Sequence, residues 1–290
     1  MKNFICCKEV NIPQEIPENT YYFALYPSHA VHRDGVGYIN INFLKNIKKL
    51  GIFPQINELD FTTIALSVAA IDNAISRQKS VDGWTRNIHA EIALCNPTPW
   101  NLQRDDLQKA FHFLTGDYWQ FEFKAEGWAP FDRPDDASAP AIEADCVCLL
   151  SGGLDSFVGA IDLQEQHKKP LFVSQITRAD APIQRELAAL LNASARHIQL
   201  GFSIQSPCGE TEKSTRARSI VFFSYALLAT SLIRHNLEDP IDIIVPENGF
   251  ISLNIPLNSG RIGSFLLNMK THLEYPAGLK MNCCLSETGH

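Results

Sequence analysis

In the second half of the chain, short runs of consecutive apolar residues alternate with longer stretches at helical spacing. Residues 146–150, 171–175, 197–202 and 241–245 read as strands with little polar alternation, the pattern of strands covered on both faces. Residues 157–166, 182–195 and a long stretch from about 214 to 236 read as the helices between them, with Asp180 or Ala181 near the cap of the second. Strand and helix in strict alternation predict an α/β domain built on a doubly wound parallel sheet. The first half is less regular. Residues 20–25, 37–41, 88–94 and 119–123 read as strands, the last with polar residues at alternate positions, and residues 61–76 and 105–114 as helices, together a smaller mixed α/β domain. Residues 129–144 hold three prolines and four acidic residues without apolar periodicity. They predict a linker between a domain at 1–128 and a domain at 145–290.

Composition narrows the functional classes. With 45% hydrophobic and 20% charged residues in 290, the chain has the balance of a folded globular protein. Its 25 basic and 32 acidic residues give a net charge of −7, which argues against a general affinity for nucleic acid, so any anion site is local. No run of about 18 uncharged apolar residues occurs, and Lys8 and Glu9 interrupt the start of the chain, so a cytoplasmic location with no membrane partner is expected. The eight cysteines, at 6, 7, 95, 146, 148, 208, 283 and 284, show no C-x-x-C pair, and read as reduced thiols with neither a disulfide framework nor zinc. Trp84, Trp100, Trp119 and Trp128 read as packing residues, and the first domain shows no catalytic constellation.

The chemistry lies in Ser151-Gly152-Gly153-Leu154-Asp155-Ser156, between an apolar strand and a helix. Two glycines let the backbone turn sharply and approach a ligand without a Cβ in the way. The following helix aims unpaired N–H groups and the positive end of its dipole at the loop. Ser151 and Ser156 add hydroxyls for phosphate oxygens, and Asp155 is placed to hold magnesium or to orient the loop. Five fixed positions of this kind arise by chance in on the order of one in a few thousand chains of this length. The loop has neither the Lys-Ser/Thr ending of a Walker loop nor the G-x-G-x-x-G of dinucleotide folds.

Two further groups support an anion and a base. Lys213, Arg216 and Arg218 fall around the predicted first turn of the long helix, where basic residues oppose the dipole at a cost of about 0.3–1 kcal/mol each unless an anion lies between. Arg216 or Arg218 is therefore expected on ATP phosphate or the leaving pyrophosphate, with a solvated basic turn as the alternative. Glu247, Asn248 and Gly249 follow the last predicted strand at its carboxyl end, where open parallel sheets bind ligands. Glu247 has the acceptors for the N–H edge of a guanine-like base, and a plain Asn-Gly turn is the alternative. Arg261 is a weaker candidate for an anion contact.

SGGLDS resembles the phosphate loop of the PP-loop ATP pyrophosphatases, whose fold is of the adenine nucleotide α-hydrolase-like (HUP) type. More narrowly, SGGLDSFVGA, LFVSQ, QRELAALL, STRARSIVFF and PENGFISLNIPL resemble 7-cyano-7-deazaguanine synthase-like (QueC-type) proteins. Within these, and with TGDYWQFEF in the first half, the chain is similar to the QueC-like components of bacterial Qat anti-phage defence systems. The resemblance implies ATP and Mg2+ at residues 151–156, with Ser174, Lys213, Arg216 and Arg218 added to the ATP set and Asp155, Ser156 and Arg218 as catalytic residues. It implies Glu247, Asn248 and Gly249 as the site for a 7-deazaguanine, and other Qat-type proteins as partners. The implied reaction is adenylation of a carboxylate by ATP, then amide or nitrile formation with ammonia or a protein amine. A PP-loop enzyme acting on tRNA and a catalytically silent ATP-binding subunit are the alternatives. The family's four-cysteine zinc site is represented only by Cys283 and Cys284, so no zinc is expected, and residues 264–290 depart from the family pattern as a truncated terminus would.

Overall fold

The computed structural model describes residues 2–29, 31–42, 54–128, 142–177, 179–209, 211–213, 216–233 and 241–246. The chain is an α/β protein with helices on mostly parallel sheets, divided into two compact units. The first unit comprises Met1–Leu44, Gln55–Asp132 and Phe202–Val221, the second Lys45–Pro54, Arg133–Gly201 and Phe222–His290.

In the first unit β1 (Lys2–Cys7), β2 (Thr20–Leu25), β3 (Val36–Ile41), β4 (Asn87–Ala93) and β5 (Tyr118–Lys124) are parallel. Their order across the sheet is β5-β4-β1-β2-β3, with β9 (Phe202–Gln205) antiparallel along β3 at the edge. Strand β5 alternates as its sequence predicts: Trp119, Phe121 and Phe123 are buried, whereas Tyr118, Gln120 and Lys124 face solvent. Helix α1 (Ile56–Ala74) starts where the Glu58 carboxylate accepts the Gln55 N–H at 3.0 Å. Helices α2 (Pro97–Leu102) and α3 (Arg104–Thr115) follow β4. Phe111 on the buried face of α3 packs edge-on against Phe121, with centroids 5.4 Å apart.

The same unit holds a buried box of four charges. Arg77 donates to Asp117 and to Asp72, each at 2.8 Å, and Arg86 donates to Asp117 through Nε at 3.1 Å and Nη2 at 2.6 Å. Arg86 also pairs with Asp72 and gives protons to the carbonyls of Asp72 and Ile75. Burial opposes the Arg86 charge, but the two carboxylates outweigh it and hold the guanidinium above its ordinary pKa. Glu212 and Ala217 close onto this box. Ala217 N–H reaches Asp72 at 3.3 Å, Glu212 accepts the Arg77 N–H at 2.7 Å, and Glu212 N–H donates to Asn73 O at 2.7 Å.

The second unit has four parallel strands in the order β10-β6-β7-β8. They are β6 (Cys146–Leu149), β7 (Pro170–Gln175), β8 (His197–Leu200) and β10 (Asp242–Ile244). Every residue of β6 and β7 is buried, which explains the apolar runs at 146–149 and 170–173. Helices α4 (Leu154–Glu165) and α5 (Asp180–Leu190) connect β6 to β7 and β7 to β8. Cys146, Cys148, Leu150, Ala160, Leu163, Phe172, Ala188 and Ile244 form the core around them. From β6 the chain steps outward through β7 to β8, then returns to lay β10 on the other side of β6, so the order reverses at β6. Helix α6 (Arg218–Thr230) intervenes before β10.

Several sequence expectations are corrected. The strand expected at 197–202 is split at Gly201: its beginning is β8 of the second sheet, and Phe202 opens β9, which pairs with β3 of the first. Residues 202–221, expected in the second domain, group with the first unit. The helix expected from about 214 to 236 starts at Arg218 and ends at Thr230, so of the three basic residues only Arg218 lies on it. The helix expected to reach 195 stops at Leu190, with a separate turn at Ser194–Arg196. Strand β1, unread in the sequence, is the central strand between β4 and β2. Among the described residues, no helix is long and apolar enough to cross a membrane.

Candidate functional site

The loop Ser151–Gly153 lies at the carboxyl end of β6, where the strand order reverses, the position at which open α/β sheets place their ligands. Gly152 has φ +96°, a left-handed backbone that an L side chain adopts only with strain, and an added Cβ would lie 3.3 Å from Gln184 Cγ. Gly153 stands at the N-cap of α4, and no side chain caps that helix. The loop is braced by its own serines. Ser156 Oγ donates to Gly153 O at 2.8 Å, Ser151 Oγ donates to Ser156 Oγ at 3.0 Å, and Ser151 Oγ accepts the Gly153 N–H at 3.3 Å. Ser156 is buried, whereas Ser151, Gly153, Leu154 and Asp155 are exposed. Asp155 thus carries its carboxylate on the open first turn of α4.

A second layer fixes the loop from beneath. Gln184, buried on α5, donates Nε2 to Ser151 O and to Gln175 O, both at 3.1 Å, and Gln199 Nε2 holds Gln184 Oε1 at 2.9 Å. Ser174, expected as an ATP contact, is fully buried. Its hydroxyl donates to Leu150 O at 2.5 Å and meets His197 Nε2 at 2.8 Å, so it supports the loop from below. Burial, with the Arg185 charge, pushes His197 down to about 4, which keeps its imidazole neutral near neutral pH. At the carboxyl end of β7, Gln175 Oε1 is a buried acceptor with no partner among the described residues, in a residue only 5% exposed. An unmatched buried acceptor at the ligand end of a sheet marks a place where a donor is missing.

The next strand-to-helix turn in the same sheet is built differently. Thr177 Oγ1 accepts the Asp180 N–H at 3.1 Å and donates to the Asp180 carboxylate at 2.6 Å. Neither helix has a side-chain cap at its N-cap residue, but Thr177 takes the first two N–H groups of α5, that of Asp180 through Oγ1 and that of Ala181 through its carbonyl, whereas among the described residues no such bond reaches the Leu154 or Asp155 N–H of α4.

Three of the expected residues, Lys213, Arg216 and Arg218, fall in the first unit and not in the unit that carries the loop. Arg216 belongs to the first unit, its guanidinium 4.0 Å above the Trp84 ring and 2.8 Å from Thr115 O, so its expected phosphate role is replaced by this stack. Burial and the nearby Arg77 lower its pKa. Lys213 and Arg218 are exposed. Trp100 and Trp119 are buried as expected, but Trp84 is 58% exposed and serves as the platform for Arg216. Glu247, Asn248, Gly249, Arg261, Cys283 and Cys284 lie outside the described residues. The residue before Glu247 does not: Pro246 abuts α4 where an added Cβ on Gly159 would come within 2.6 Å of it.

Among the described residues no three His, Cys, Asp or Glu side chains group as a metal site. Asp155 alone fits the way magnesium is usually held, by one or two carboxylates together with substrate phosphates. Cys146 and Cys148 are buried thiols in no disulfide, and burial raises the Cys148 thiol well above its ordinary range. Comparison with protein-family models, curated proteins and solved structures finds no match.

Proposed function

We propose that the second unit binds ATP through residues 151–156 and adenylates a substrate carboxylate, as PP-loop ATP pyrophosphatases of the QueC type do. The carrying observation is the glycine turn at the carboxyl end of β6, with Gly152 at φ +96° and no side chain capping α4 after it. An anion satisfies the free N–H groups and the dipole together. The orphaned acceptor of Gln175, on the strand beside the loop, supports a ligand that also brings donors, as a purine ring does.

In this reading the Gly152–Asp155 backbone receives the phosphates. Asp155 would hold magnesium, which would supply charge neutralisation on the triphosphate. A carboxylate oxygen of the substrate attacks the α-phosphorus, and the bond to the bridging oxygen breaks as pyrophosphate leaves with its electron pair. An amine nitrogen then attacks the acyl carbon of the mixed anhydride, AMP departs, and the amine loses a proton to leave an amide. The protein's part is alignment and fixed donors for developing charge. The proposed acceptor is a 7-carboxy-7-deazaguanine held by Glu247, Asn248 and Gly249, and the proposed setting is Qat-type defence with partner proteins of that system.

The test is AMP and pyrophosphate release from labelled ATP with candidate 7-deazapurines. Asp155→Ala should lower it roughly a hundredfold or more while leaving the circular dichroism spectrum unchanged, because Asp155 is exposed and fills no core volume. Unchanged turnover in that variant sinks the assignment of the loop.

A further inference from the structure

Helix α4 carries a glycine in its middle that no turn requires. Gly159 is the sixth of the 12 residues of Leu154–Glu165, and it is not among the residues with a positive φ. Glycine weakens a helix interior relative to alanine, because it gives up more backbone freedom on folding. The space around it supplies the reason for its presence. An added Cβ would lie 2.6 Å from Pro246 Cβ, 2.8 Å from its Cγ and 3.7 Å from its Cα. The first two distances lie far inside van der Waals contact, and a proline ring, closed on its own backbone, has no other rotamer into which to retreat. Gly159 and Pro246 belong to the same unit, and Pro246 follows the end of β10 by two residues.

The elements on the two sides of this contact are held unequally. Helix α4 is fixed along its length: Ser156 Oγ ties its first turn to Gly153 O, Ala160 and Leu163 sit in the core, and Gln164 Nε2 donates to Leu191 O at 2.6 Å near its end. Strand β10 has three residues, pairs with β6 alone among the described residues, and stands at the edge of the sheet they form. A Cβ on Gly159 therefore displaces Pro246 and the carboxyl end of β10, and leaves α4 and the loop in place. Because β10 runs parallel to β6, that end opens on the same side of the sheet as the loop. Gly159 lies about 9 Å along the helix axis from Gly153 at the N-cap, so one rigid helix joins the phosphate loop to the seat of Pro246.

We infer that Gly159 is a positioning residue for the acceptor: its bare Cα seats Pro246 against α4, and that contact fixes the carboxyl end of β10 at a set distance from the phosphate loop. This role depends on residues 151–156 being the ATP loop and on the acceptor segment starting after Pro246, as proposed above. Adenylation needs the attacking carboxylate aligned with the α-phosphorus, and a displacement of about 1 Å costs rate on the order of a hundredfold. Gly159 touches neither substrate and acts through Pro246.

The experiment uses the full chain and has two arms. The first is a urea-unfolding cycle through Gly159→Ala, Pro246→Gly and the double variant, which reads the contact without any ligand. Gly159→Ala should lower the unfolding midpoint in the parent and raise it in the Pro246→Gly background, where the helix preference of alanine acts unopposed. The same sign in both backgrounds overturns the contact. The second arm measures AMP release with 7-carboxy-7-deazaguanine, and ATP binding by calorimetry. Gly159→Ala should lower kcat/KM for the acceptor at least tenfold, on the scale expected of a misplaced reactant, with the ATP dissociation constant within about twofold of the parent. Leu191→Ala, which empties the same core from neither α4 nor β10, should lose stability and keep the acceptor kcat/KM. An acceptor kcat/KM unchanged by Gly159→Ala, an ATP constant that weakens with it, or an equal loss in Leu191→Ala makes the glycine purely structural and overturns the inference. Should Gly159→Ala fail to fold, Pro246→Gly carries the second arm with the same thresholds. A parent that releases no AMP overturns the ATP loop and this role with it, and is recognised before any variant is read.

Discussion

The charge box of the first unit and the glycine loop of the second are both dense polar clusters, and they differ in where their hydrogen bonds end. In the box, every contact described for Arg77, Arg86, Asp72 and Asp117 ends inside the chain, down to the N–H of Ala217. In the loop, the serines and Gln184 brace the backbone but leave the amino end of α4 uncapped. A closed network contributes rigidity and penalises any missing member, whereas an open one waits for an external partner. The difference separates the residues that hold the fold from those proposed to bind.

The largest effect expected from breaking this comparison is on the box. Asp117→Asn removes the carboxylate on which Arg77 and Arg86 converge, and should destabilise the first unit by about 3–5 kcal/mol, read from urea unfolding. A loss below about 1 kcal/mol would mean the box is dispensable. Next comes the loop itself. Gly152→Ala places a Cβ at a left-handed φ and 3.3 Å from Gln184 Cγ, so ATP affinity should fall at least tenfold for a stability loss of about 1–3 kcal/mol. Equal affinity in calorimetry would show that the turn's shape is not what an anion reads.

The smallest effect concerns the support under the loop. His197 is pushed down to about 4 from 6.5, so between these values the unfolded chain binds more protons than the folded one. Its contribution to stability is complete above pH 6.5 and is lost as pH falls toward 4. The urea midpoint of the parent should therefore decline more steeply over that window than that of His197→Gln. Parallel curves would remove the neutral imidazole from the account of Ser174.

Legibility in the sequence followed locality. The loop was readable because strand, glycines and helix are contiguous, and its cysteine-bearing strand because burial on both faces leaves an unbroken apolar run. Helix α3 and strand β5 were readable from period alone. The misread parts depend on distant partners. Nothing near Arg216 in the chain announces Trp84 or Thr115, more than a hundred positions earlier, and nothing in 202–205 announces pairing with β3. Arg77, Arg86, Asp72 and Asp117 are four ordinary charges until the fold gathers them, and only the absence of helical or strand logic for a buried Asp117 hints at a role. Strand β1, with two cysteines and a polar start in its six residues, gives a weak strand signal that its central place in the sheet overrides.

The return of the chain at Phe202 also sets an order of events at the ribosome. Strands β1 to β5 emerge first, yet the sheet's last edge and the ties from Glu212 and Ala217 to the end of α1 arrive only after β6, β7 and β8 have been made. Until then β3 presents an unpaired edge and Asp72 lacks one of its donors. The early unit must wait, incomplete, while the later one is being assembled, and a nascent chain halted near residue 201 would leave it open to capture by other edges.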